Sequence, residues 1–311
     1  MDVYIVDFLR TAFSRSRPNE PEKDVFNSIR MDEALAKLIR ESINRTGVNP
    51  KEIGDVITGC ALQADENWLY AGRHPPVFLA DLPVEVPAMA VDRACASSMT
   101  SISIGAMEIM SGNSDIVLAG GMEHMTHVPM SNNPPHVAIN FKLMTDPHYA
   151  HLQMGIGYNM GLTAENLARY AKIPKEEMDQ LAYRSHMLAA KSLEEGGWFK
   201  GEILPLEVEY QGDRIVVDRD QSIRPDTTLE QISKLPPAFM PNGVITAGNS
   251  SPPLNAGASL VMLMSEKKVK EYGLKPLAKI RSMGGWAGVH PALMGMGGPV
   301  PASQKALQRL D

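Results

Sequence analysis

Four short apolar runs, at 3–6, 53–58, 86–91 and 116–119, are separated by longer segments, two of which carry a helical apolar period. Positions 31–43 place Ala34, Leu35, Leu38, Ile39 and Ile43 on one helical face, with Gly47 as the stop. Positions 99–110 form a second helix rich in Ile, Met and Ala, closing at Ser111 and Gly112. Strand-like runs alternating with helices predict an α/β fold, a mostly parallel sheet with helices on its faces. The fourth strand is expected to end at Gly120 and Gly121.

Beyond Gly121 the texture changes. Residues 122–160 are rich in Met, His, Pro and Asn and read as a long irregular segment, of the kind that is usually functional or disordered. Helical patterning returns at 163–171 and 175–195, with Pro174 suited to a first helical turn. Residues 203–236 mix short strands with Pro-containing turns. Residues 244–264 restore the buried texture: a strand, a Gly-Asn-Ser-Ser turn, and an apolar strand at 259–264. A further strand is expected to begin at 280–283 and a helix at 301–310.

Composition narrows the function classes. The net charge is −6 with no long basic block, so there is no electrostatic footprint for nucleic acid. Two cysteines cannot build a disulfide framework and read as thiols in a reducing compartment. No apolar run reaches the roughly 20 residues of a membrane span. A strand pattern starts almost at once, leaving no room for a signal peptide. The expected location is the cytoplasm, or an organelle if a leader has been removed. There is no GxGxxG after a strand and no GxxxxGK[ST], so no nucleotide cofactor is called for.

Cys95 lies in VDRACASSMTSI, residues 91–102, between a strand and a helix. A thiol at a helix N-terminus meets unpaired N–H groups and the positive end of the helix dipole, which favour a nucleophilic thiolate. Ala94, Ala96, Ser97 and Ser98 leave room for a substrate. Position alone leaves open a structural cysteine packed as a small hydrophobe. Cys60, at a strand end, reads as structural. His124 with His127 and His148 with His151 have i,i+3 spacing, but a metal site would need more ligands.

Several motifs in order resemble those of thiolases. VDRACASSMTSI followed by GGMEHMTHVPM, residues 120–130, resembles the family's nucleophile segment. GLTAENLA (161–168), SIRPDTTLEQISKLPPAF (222–239), TAGNSS (246–251) and MGMGGPVPASQKAL (294–307) resemble its later signatures. The GGMEHMTHVPM form is most similar to the thiolase subunit of fatty-acid β-oxidation complexes. The ketoacyl synthases share a similar fold and a Cys nucleophile, but the GGMEHM and TAGN motifs favour thiolase.

The resemblance implies a thiolase-like α/β fold: an N-terminal mixed five-stranded sheet flanked by helices, an inserted loop domain, and an incomplete second α/β half. The expected boundaries are 1–121 for the N-terminal half, 122–245 for the loop domain, 246–273 for the return, and 274–311 for the start of the C-terminal half. It implies thiolytic cleavage of 3-ketoacyl-CoA, or the reverse condensation, through an acyl-thioester on Cys95, with coenzyme A as substrate and no cofactor or metal. Arg224 matches a contact to the nucleotide end of CoA, with a solvated surface Arg as the alternative. Ser251 matches a pantetheine contact, with a turn-forming Ser as the alternative. Met160 and Met294 match pocket-lining positions, and Asn159 stands where related enzymes carry a His that contacts substrate.

Three departures accompany the match. Asp92 stands where a small polar residue is usual, and its carboxylate opposes the helix-end field. The turn SPPLNAGA, residues 251–258, is longer than the family's and has Ala256 in place of Asp. The Asn-Glu-Ala-Phe, Gly-His-Pro and Cys-x-Gly motifs, which hold the activating His and the acid/base Cys, do not occur in these 311 residues; His290-Pro291 precedes MGMGGPVPA, where the family has an ordinary loop. The expected partners are acyl-CoA and CoA, a second copy in a homodimer or homotetramer, and a hydratase/dehydrogenase subunit or a complementary C-terminal chain. One chain of a split thiolase and a non-catalytic CoA-thioester binding or assembly subunit are the alternative readings.

Overall fold

The computed structural model describes residues 1–130, 139–252, 254–284, 288–293 and 297–310. In chain order the elements are β1 (Val3–Arg10), β2 (Ser14–Arg15), α1 (Met31–Thr46), β3 (Asp55–Gly59), β4 (Ala88–Val91), α2 (Ser97–Ser111), β5 (Ile116–His124), α3 (Lys142–Thr145), α4 (Met154–Gly157), α5 (Met160–Ala171), α6 (Lys175–Ser192), α7 (Phe199–Glu202), β6 (Leu206–Tyr210), β7 (Asp213–Val217), α8 (Leu229–Ser233), β8 (Asn255–Ser265), α9 (Glu266–Glu271), β9 (Ala278–Lys279) and α10 (Pro299–Gln308). They fall into two compact units that interleave along the chain. The first comprises Met1–Val137, Gly197–Ser222 and Leu254–Arg281; the second comprises Ala138–Gly196, Ile223–Pro253 and Ser282–Asp311.

The first unit is built on one mixed sheet in the order β4-β3-β5-β8-β1-β9, with β2 paired to β8. Its five main strands match the five-stranded sheet that the resemblance implies; β2 and β9 add two residues each. The alternation rule predicts a mostly parallel sheet, and only half of it is. β3 pairs parallel with β4 and β5, whereas β8 runs antiparallel to both β5 and β1. β8 is not the next strand of an alternating series. It returns from residues 223–253 of the second unit and enters from the opposite end of the sheet.

β3 is buried along its whole length and β5 nearly so, as expected of strands covered on both faces. α2 lies over Val117 and Leu263, close enough for Gly105 to abut both side chains. α1 packs Ala34, Leu35, Leu38 and Ile39 against β1, β5 and β8, so its predicted apolar face is the buried one. Segment 197–222 is tied to β1 through Arg10. That guanidinium donates twice to Asp220, at 2.7 and 2.9 Å, and once to Glu202 at 2.8 Å.

Two strand ends differ from expectation. Gly120 and Gly121 lie inside β5, which continues to His124. They are glycines because neighbours come close: a Cβ at Gly120 would collide with the backbone of Ser259 in β8, and one at Gly121 with the side chain of Ser98. In place of the strand expected at 280–283 stands the two-residue β9, Ala278–Lys279, immediately before it.

In the second unit, buried polar groups organise short helices and irregular chain. The helix predicted at 163–171 begins three residues earlier, because Asn159 accepts the Leu162 N–H and caps it. α6 ends at Ser192 rather than 195, and Pro174 is its N-cap residue rather than part of its first turn. The segment 122–160, expected to be irregular, contributes the end of β5 and the short helices α3 and α4. α10 is held to the preceding chain where Ser282 donates to Ala306 O and Arg309 to Met283 O.

The carboxyl of Glu108 in α2 lies beside Asp55 at the start of β3, with Ser114 and Asn113 as neutral neighbours. Burial first, and the charge of Asp55 second, push Glu108 up to about 7. A carboxyl raised in the folded state favours folding at low pH, and that contribution is lost as pH rises through the folded value. Glu108→Gln, neutral throughout, should therefore gain in melting temperature relative to wild type as pH rises from about 5 to 8. Thermal unfolding across that range tests it; a constant difference would mean that Glu108 titrates normally.

Candidate active site

Cys95 is exposed, on the turn that joins β4 to α2. The turn is locked by its own side chains. Asp92 accepts the Ala94 N–H at 2.7 Å, and Ser97 Oγ accepts the Arg93 N–H at 2.9 Å while donating to Ala94 O at 2.6 Å. Backbone bonds from Ala96 to Arg93 O and from Ser97 to Ala94 O complete it. Ala94 has φ +47°, the left-handed region that a non-glycine residue enters at a cost. This strained residue stands immediately before the exposed thiol. Asp92, read from sequence only as a charge opposing the helix end, is also the acceptor that closes this turn.

The first turn of α2 rests on the end of β3 and on Gly121 inside β5. A Cβ on Gly59 would collide with the backbone of Ser97 and Ser98, and one on Gly121 with Ser98 Oγ and the Gly59 carbonyl. These two glycines set the height of the helix N-terminus over the sheet and so the position of Cys95.

Behind them is a half-buried polar group that sequence reading missed. Glu123, the penultimate residue of β5, accepts the Ala61 N–H and the Asn67 side-chain amide, both at 2.8 Å. Cys60 is 1% exposed, its Sγ 3.6 Å from Glu123 Oε1. Burial, then the neighbouring carboxylate, pushes the Cys60 thiol far up, and burial also raises Glu123. A neutral buried thiol is a packing group, which agrees with the structural reading of Cys60. Glu123 was legible only as part of a motif, because its partners are 56 and 62 residues away.

His124 and His127 are brought to Glu66, with ligand-type atoms within 4.8 Å of one another. Their rings stack 3.7 Å apart at 8°, so in-plane lone pairs run parallel instead of converging on one point. His127 also has partners on both ring nitrogens, Glu66 on one side and Asn27 on the other, and His124 Nε2 faces Phe26 O. The trio is a hydrogen-bonded latch, with Glu66 holding His127 above its usual range. His290 uses both ring nitrogens locally, Nε2 against His151 O and Nδ1 accepting the Ala292 N–H.

The other sequence-predicted site residues lie in the second unit. Asn159 and Met160 are exposed at the start of α5. Asn159 spends its carbonyl on the helix cap. Arg224 and Ser251 are exposed. Ser251 follows a turn in which Thr246 accepts the Gly248 and Asn249 N–H groups, and Asn249 accepts the Thr246 N–H while donating to Val244 O and Asp179. Buried Glu165 accepts the Val244 and Ile245 N–H groups, each at 3.0 Å. Ser251 thus follows an anchored turn. Met294 lies outside the described residues.

Gly59→Ala should cost about 1–3 kcal/mol, because the backbone it meets cannot rotate away. Gly201→Ala, where a Cβ has open space around it, is the control and should be nearly neutral. Urea unfolding of both variants measures the difference; equal midpoints would show that the helix shifts without cost.

The family model "Thiolase, N-terminal domain" matches residues 3–267. The chain is 41% identical over 308 residues to a 3-ketoacyl-CoA thiolase of Saccharophagus degradans, covering 98% of this chain and 74% of that protein. To a 3-ketoacyl-CoA thiolase of Vibrio vulnificus it is 42% identical over 312 residues, covering 99% and 76%. The crystal structure of the Bacillus anthracis acetyl-CoA acetyltransferase superposes with a TM-score of 0.79 at 33% identity, covering 100% of this chain and 76% of that one. The chain thus spans about three quarters of the length of these relatives. With the N-terminal domain matched almost throughout and the α/β architecture shared with a solved relative, the chain belongs to the thiolase family.

Proposed function

We propose that this chain supplies the nucleophile and the CoA-binding face of a 3-ketoacyl-CoA thiolase acting in fatty-acid β-oxidation in the cytoplasm. The observation that carries the reading is Cys95, exposed on a strained, internally hydrogen-bonded turn at the head of α2. In the forward reaction Cys95 Sγ attacks the keto carbonyl, the bond between the α and β carbons breaks, and acetyl-CoA leaves. The acyl group then passes from Cys95 to a second CoA. The Cys95 N–H donates to the thioester oxygen, a dipole already aimed where charge develops. Arg224 takes the nucleotide end of CoA, Ser251 the pantetheine arm, and Asn159, Met160 and Met294 line the acyl and pantetheine path.

The activating His and the acid/base Cys of the family lie in motifs outside these 311 residues, so the complete reaction draws on groups from further sequence. A second reading is one chain of a split thiolase; the exposed apolar residues of α10 are compatible with it and equally with cover by further sequence of the same chain. Val300 and Leu307 on that helix are 58% and 64% exposed, apolar surface of the kind that a partner would cover. A homo-oligomer fits the first unit, where Trp68, Tyr70, His74 and Phe78 form a ring cluster in which Trp68, Tyr70 and Phe78 are about half exposed.

The test is acyl transfer. The purified chain is incubated with an acyl-CoA and its intact mass recorded. A stoichiometric thioester that vanishes in Cys95→Ala is the expected result. If no adduct forms but CoA still binds, the chain is an incomplete catalytic unit or a binding subunit. Recovery of the adduct with a co-expressed C-terminal thiolase segment would then identify the split enzyme.

A further inference from the structure

α6 carries two anchors on one face. Asp179 and His186 are seven residues apart, two helical turns and about 10 Å along the axis. Asp179 accepts the Asn249 side-chain amide at 3.0 Å, with Lys175 on its other oxygen, and so fixes the turn before Ser251. His186 Nδ1 accepts the backbone N–H of Arg224 at 3.2 Å. An accepting Nδ1 puts the ring proton on Nε2. Burial, and then the charge of Arg224, hold His186 below its usual range, so the accepting neutral ring is the form present at pH 7.

The Arg224 backbone is fixed on its other side as well. Its carbonyl accepts the Thr227 N–H at 3.3 Å, and Pro225 restricts it to extended conformations. The side chain remains exposed. A long, flexible cation reads a distant phosphate well only if the chain at its base is fixed, because every loose backbone torsion adds entropy to be lost on binding.

We propose that His186 is a positioning residue: it seats the Arg224 backbone on α6, so that the guanidinium meets the nucleotide end of CoA at a set distance from the Ser251 turn. The inference rests on the reading of Arg224 as a CoA contact. The stretch RSHMLAA, residues 184–190, carries no sign of it, since a His on a helix outside every motif looks like surface.

Calorimetry on the full chain separates the two ideas, with CoA and pantetheine as probes. Arg224→Ala should weaken CoA about tenfold or more, as loss of a charged contact does, and leave pantetheine unchanged. His186→Leu should weaken CoA about three- to tenfold and also leave pantetheine unchanged. His186→Asn, whose Oδ1 stands near the place of Nδ1, should return CoA affinity to within about twofold of wild type. If His186→Leu does not fold, His186→Gln, with its acceptor misplaced, should show the same loss. Wild-type CoA affinity in the Leu or Gln variant, an equal loss for CoA and pantetheine, or no rescue by Asn would each overturn the positioning role while leaving Arg224 as a contact. Unchanged CoA affinity in Arg224→Ala would remove the underlying reading and the inference with it.

Discussion

The close approach of the first turn of α2 to the end of β3 and to Gly121 within β5 is the contact on which the rest of the first unit depends. It exists because Gly59 and Gly121 have no side chain where the helix arrives. Ser98 packs into the space at Gly121, and Ser97 turns back to bind the chain at Arg93 and Ala94. The strain at Ala94 is sustained by these bonds together with Asp92, none of which a looser helix could hold in register. The exposure of the Cys95 thiol is the outcome of backbone packing several residues away, and the thiol itself contributes little to the arrangement.

The two units reach order by different means. In the first, the sheet is buried on both faces by α1 and α2, and the side chains that matter are Leu, Ile, Val and Ala. In the second, α6 buries only Asp179, and the chain is shaped by carboxylates and amides that bind backbone. Glu165 takes two N–H groups, Asn249 and Asp179 join a turn to a helix, and Thr228 with Gln231 forms a capping box for α8. Such bonds are directional, and each one specifies where a loop must lie, which a general apolar face does not do.

This difference decides what could be read from sequence. α1 and α2 were legible with their stops, because an apolar face repeating every 3.6 residues and a closing glycine are local signals. Cys95 at the strand–helix junction was legible for the same reason. Gly120 and Gly121 were misread as a strand end, since a glycine pair usually breaks a strand; the requirement they meet comes from Ser259 and Ser98, remote in the chain. The antiparallel β8 was hidden because its orientation depends on the path taken by the 223–253 segment. Glu123, Glu165 and His186 were invisible for one common reason: each is defined by a partner more than 30 residues away.

The interleaving of the units also bears on how the chain reaches its native state. β1 begins at Val3, yet its partners in the sheet are β8, where Val3 faces Ser265, and β9. β5, too, gains its antiparallel neighbour only from β8. During synthesis the first strand therefore waits, unpaired and apolar, until residues 255–265 have emerged. The central strand of the sheet is the last of its five main strands to arrive. Loop closure over that span is slow, and the exposed strand edges are sticky in the meantime. A chain with this topology should rely on chaperones during its birth more heavily than its size alone would suggest.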